Sequence, residues 1–251
     1  MRDFIFTLHK RNALVFWTGM IALVSAFASL GLMTFDRSAT SDHSGGWSEV
    51  FFYSLYTCII TASLGWLLPM LNVKKQRFYY SLIIAAIVLF AIVLQWIIGL
   101  DSGIGINNSS LTPRNALLIL GLRWAFICFF LLMVILSTHF FVQRKVPYSQ
   151  HYSWGIRMGT SIFTYSLILL GAIIWLMKNS RLTAFGYGSA TNSVLNIDGI
   201  NFAIPFYIGV HALQIIPLVS YYLFEKKRQA SLFSITYVIV FLVFLIVSML
   251  K

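Results

Sequence analysis

The sequence predicts an all-α integral membrane protein with seven transmembrane helices, its N-terminus cytoplasmic and its C-terminus outside. Three observations predict it. Of the 251 residues, 59% are hydrophobic and 10% charged, where soluble domains carry about 25% charged residues; the mean hydropathy is +0.83. Seven runs reach the length of about 20 predominantly apolar residues that a bilayer-crossing helix needs, at 13–34, 50–72, 78–100, 116–142, 156–177, 202–224 and 231–250. Lysine and arginine collect in every second connection between those runs, which is the positive-inside pattern.

The first run follows Arg2, Lys10 and Arg11 and contains Ala26-Phe27-Ala28, an arrangement like that of a secretory signal peptide. The apolar region of a signal peptide is only about 7–15 residues. Here apolar residues continue to Met33, so an uncleaved first helix is expected. The connections at 73–77, 143–157 and 225–230 hold Lys74, Lys75, Arg77, Arg144, Lys145, Arg157, Lys226, Lys227 and Arg228. With the N-terminal three this makes twelve basic residues, against five on the other side (Arg37, Arg114, Lys178, Arg181 and Lys251). The outer connections are longer and carry most of the acids: Asp36, Asp42, Glu49, Asp101 and Asp198. Stretches 101–112 and 186–201, rich in Gly, Ser and Asn, read as outer loops. Asn107 and Asn108 each begin a formal glycosylation sequon, which has meaning only in a eukaryotic secretory pathway. No repeat or soluble segment interrupts the runs, so residues 1–251 are expected to form a single polytopic domain.

Several classes are excluded. The net charge of +11 would point to nucleic acid in a soluble protein; here the basic residues sit in the short turns of a membrane protein. An outer-membrane barrel needs alternating ten-residue segments, and these runs are continuously apolar. Cys58 and Cys128 both fall inside apolar runs without C-x-x-C spacing, so neither zinc nor a disulfide framework is indicated. There is no H-E-x-x-H and no G-x-S-x-G, and no apolar run contains an acid.

One stretch stands out, Asn201 to Phe224. It is long enough to span, yet holds His211 near its midpoint and Gln214 one turn on, bracketed by Pro205 and Pro217. A spacing of three places His211 and Gln214 on one face of a helix, and neither is cheap to expose to lipid. Pro217 is expected to kink the helix just below the pair. At about 1.5 Å per residue, His211 lies roughly 13 Å below the outer boundary, Arg123 and Thr57 roughly 10 Å, and Gln95 roughly 8 Å. His211, Gln214, Arg123, Gln95 and Thr57 are therefore candidates for a polar, outward-facing pocket that suits a small polar or anionic ligand. The competing account has Arg123 snorkelling to phosphates or pairing with Glu49 or Asp101, and His211 and Gln214 linking helices. His139 and His211 differ by roughly 20 Å in depth by the same rise, so they cannot share one haem; His211 alone is the residue left to ligate a metal.

The segment GVHALQIIPL resembles the G-L-H-A-L-Q-x-L-P-L motif of a family of uncharacterised bacterial multi-pass membrane proteins. VLQWIIGLDSGIGINNSSLTP resembles that family's L-Q-x-x-x-G…F-N-x-x-T-P stretch, and WGIRMG its W-x-x-R-L-G. The family's histidine five residues before H-A-L-Q is Phe206 here, and the histidine beside its F-N pair is absent from 104–109. The resemblance implies a multi-pass fold in the cell (inner) membrane and transfers no activity or cofactor. Three functions are compatible with these residues: binding or transport of a small ligand, a membrane enzyme or redox subunit using His211, and a structural or sensory partner within a membrane-protein complex.

Overall fold

A computed structural model describes residues 9–35, 45–100, 113–143, 148–176, 196–197, 200–201 and 203–250. Among them run seven α-helices: α1 Ala13–Phe35, α2 Gly45–Leu67, α3 Lys74–Leu100, α4 Pro113–Val142, α5 Gln150–Leu176, α6 Ala203–Tyr222 and α7 Lys227–Met249. A single 3₁₀ turn, Leu68–Met70, follows α2, and β1 (Asn196–Ile197) pairs antiparallel with β2 (Ile200–Asn201), Asn196 opposite Asn201. The loops at 36–44 and 101–112, both sequons and most of 186–201 lie outside the described residues.

Several helices are longer than their apolar runs, for a simple reason. A run ends at its first charge, whereas backbone hydrogen bonding continues until something breaks it. Lys74, Lys75 and Arg77 thus lie in the first turn of α3 rather than in a loop, and Arg157 lies two turns inside α5. Helix α4 starts on Pro113, whose missing N–H costs nothing in a first turn. Asn12 caps α1, its side-chain oxygen accepting from the Val15 N–H at 3.2 Å. Gln229 does the same for α7, accepting from the N–H groups of Lys226 (3.0 Å) and Glu225 (3.1 Å).

Among the described residues six helices are long and apolar enough to cross a membrane: Ala13–Thr34, Val50–Met70, Lys74–Leu100, Leu117–Val142, Ile204–Tyr222 and Lys227–Met249. The chain is thus a multi-pass, membrane-type helical protein. The expected count was seven; α5 is not among these six, and the side chains of its last turn, 173–176, lie outside the described residues. It is 27 residues long and carries Arg157, Thr160, Ser161, Thr164 and Ser166. Those hydroxyls are buried, and they are satisfied. Thr160 donates to the Ile156 carbonyl (2.9 Å), Thr164 to that of Thr160 (2.7 Å) and Ser166 to that of Phe163 (3.0 Å). A helix enclosed by others need not be apolar all round.

Packing divides the chain into two compact units, the boundary within α4 falling after Phe129. In the first unit α1 packs along α2, and α3 against both. Its core gathers Ala91, Leu94, Ile119, Leu122 and Ala125, with Tyr53 and Phe126 against them. In the second unit α5 packs closely along α6, and α7 lies against both. Ile162, Ala212 and Ile216 form a core there, covered by Met158, Phe233 and Tyr237. Ser137 and Ser161 join α4 to α5 at 2.7 Å, and the Tyr237 hydroxyl donates to the Ile208 carbonyl at 2.7 Å.

Candidate functional site

Helix α6 begins at Ala203, so Pro205 sits in its first turn, where no backbone bond is lost. The helix continues through Pro217 to Tyr222. Two glycines of α5 lie against its packed face. A Cβ on Gly159 of α5 would stand 2.9 Å from the Ala212 carbonyl oxygen and 2.8 Å from the Pro217 ring, and one on Gly155 would meet Ser220. The pair Gly155 and Gly159 forms a G-x-x-x-G, the spacing that lets membrane helices approach closely.

That packing fixes the rotation of α6. With 100° per residue, Ala212, Ile216 and Ser220 face α5, and His211 and Gln214 fall on the far side beside exposed Tyr207 and Leu218. The GVHALQIIPL segment thereby has two sides, one packing and one left over from the unit's own contacts. His211 is half-buried, and its Nδ1 is fully buried without a hydrogen-bond partner among the described residues. Gln214 is half-buried and engaged by a neighbour.

The other three candidates belong to the first unit. Gln95 is 2% exposed, and its Oε1 has no hydrogen-bond partner among the described residues. Thr57 is buried, its side chain against the Tyr53 hydroxyl. Arg123 is exposed, at the edge of a stripe that includes Leu120, Trp124 and Ile127. The buried side of α4 is held by Ile119, Leu122 and Ala125, which leaves Arg123 no place in the interior of its unit. Its guanidinium therefore does not share the enclosed setting of Gln95. Among the described residues no three His, Cys, Asp or Glu side chains gather as metal ligands.

Two features have no clear signal, or only an indirect one, in the sequence. The Trp96 indole N–H donates to Ser25 Oγ at 2.6 Å, and Ser25 Oγ lies 2.8 Å from Ser54 Oγ, so three helices of the first unit share one buried polar knot. Isolated serines in apolar runs give no sign of such pairing. In the second unit a largely apolar cavity of about 600 Å³ lies between α4, α5 and α7, lined by Ser137, Phe141, Ser161, Thr164, Tyr165 and Phe241 among others. The hydroxyl run of α5 was its signal in the sequence. His211 does not line it. Family models, curated proteins and solved structures give no match to this chain, and its own residues carry the functional reading.

Proposed function

We propose that this chain is a seven-helix membrane protein, N-terminus cytoplasmic, that binds a small polar ligand within the bilayer through His211. The orientation rests on the twelve basic residues against five. The seventh crossing is α5, whose buried Thr and Ser hydroxyls are satisfied within its own unit. Cysteine accessibility tests both in a background without Cys58 and Cys128. Ser44→Cys is expected to label from outside, and Lys75→Cys and Lys227→Cys only after permeabilisation. The reverse pattern inverts the topology.

The observation that supports the ligand is the buried Nδ1 of His211, unmatched by any described group, on the side of α6 that the unit's own packing leaves over. Neutral imidazole donates through one nitrogen and accepts through the other. Leaving one such atom buried and unmatched costs about 1–3 kcal/mol, which a hydrogen-bonding ligand recovers. A panel of amino acids, short carboxylates, sugars and phosphate, tested by thermal stability of the purified protein, reads this out. A ligand at a hundred times its dissociation constant stabilises by about 2.7 kcal/mol. His211→Phe is expected to insert and purify normally and to lose that shift. Should the variant respond to the same compound as the parent, His211 is not the binding residue. Should it be more stable than the parent, with no compound shifting either, the histidine is a packing residue.

A further inference from the structure

At the end of the first unit where α1 and α3 begin and α2 finishes, Arg11 is held in an unusual way. Its guanidinium carbon lies 4.0 Å from the centroid of the Trp66 ring, and Nη1 is buried without a hydrogen-bond partner among the described residues. The backbone beside it is fixed. Asn12 donates through Nδ2 to Ser81 Oγ at 2.7 Å while its oxygen caps α1, and Ser81 in turn donates to the Arg77 carbonyl at 2.7 Å. This ties Arg11 to the first turns of α3, which carry Lys74, Lys75 and Arg77.

We infer that Arg11, stacked on Trp66 at the end of the unit where Lys74 and Lys75 open α3, binds the phosphate of an anionic phospholipid headgroup. A planar guanidinium fixed on an aromatic face presents its nitrogens in a set direction, and phosphate oxygens match that fork. Lys74 and Lys75 are exposed, so they add attraction to an anionic surface rather than a shaped contact. The site lies where apolar helix gives way to basic turn, the level at which headgroups sit. It is independent of the His211 reading, being in the other unit.

The test is native mass spectrometry of the full chain from detergent, with phosphatidylglycerol and phosphatidylcholine offered at equal concentration. The parent is expected to retain phosphatidylglycerol selectively. Loss of a charge-assisted contact in Arg11→Gln is expected to weaken retention about tenfold, and Arg11→Lys nearly as much, because it keeps the charge but loses the fork. Lys75→Gln removes one exposed charge and is expected to cost about fivefold or less. Retention in Arg11→Lys equal to the parent reduces the effect to general attraction and overturns the site. So does an Arg11→Gln loss no larger than that of Lys75→Gln. Displacement of the lipid by excess glycerol phosphate would make a soluble phosphate the ligand and overturn the lipid assignment.

Discussion

Gly159→Leu is expected to destabilise the second unit by about 3 kcal/mol or more, at the top of the range for overpacked cores. The obstacles are not flexible side-chain ends. A first added carbon would meet the Ala212 carbonyl oxygen at 2.9 Å and the Pro217 ring at 2.8 Å, both part of the α6 framework. To admit it α6 must retreat from α5, opening the Ile162, Ala212 and Ile216 core. Gly171 supplies the control on the same helix, since no atom of the described residues lies within 4 Å of where its Cβ would stand. The readout is the temperature at which purified monomer is lost in detergent, with Gly159→Ala intermediate and Gly171→Leu near the parent. Equal behaviour of Gly159→Leu and Gly171→Leu would refute the close crossing.

Arg157→Met is the second large effect, and it concerns the end of α4. The last four carbonyls of a helix have no partner within it. Arg157 reaches from α5 and donates through Nε to the Phe140 carbonyl at 2.8 Å and through Nη2 to that of Gln143 at 2.5 Å. Gln143 passes the connection on, its Nε2 donating to the Met70 carbonyl at 3.0 Å. Bonds to a charged donor contribute about 1.5–3 kcal/mol each, and the positive charge also favours a helix C-terminus. Water at the membrane boundary replaces part of this, so the expected loss is about 2–4 kcal/mol. Arg157→Lys keeps the charge but cannot span both carbonyls, and should fall between. Hydrogen exchange gives the location: faster exchange around 139–143 is expected in Arg157→Met, and unchanged exchange there would mean that the two bonds do not hold the helix end.

Much of the chain's class is legible from hydropathy and charge. Each of the six helices apolar enough to cross overlaps a run visible in the sequence, because transfer into lipid depends on one segment and its solvent, and hydropathy measures that directly. Pairing between helices lies outside that measure. The hydroxyls of α5 are bonded to their own backbone and to Ser137, an arrangement that a segment-by-segment count does not contain. Helix ends differ from the ends of the runs for a related reason, since Lys74 and Arg157 are charged and still helical.

The candidate site is legible only in part. His211 and Gln214 share a face because a spacing of three fixes that within any helix. Depth, reckoned from the rise per residue, puts Arg123 level with His211. Rotation about the helix axis, which depth ignores, leaves Arg123 exposed and turns His211 away from α5. Alone, then, the sequence determined what each segment does against lipid: which stretches cross, and which connections carry charge. Only the tertiary structure decided which side of each helix meets another. That choice depends on where small residues such as Gly155, Gly159 and Ala212 let two backbones approach, and close packing is a property of pairs of surfaces rather than of either sequence.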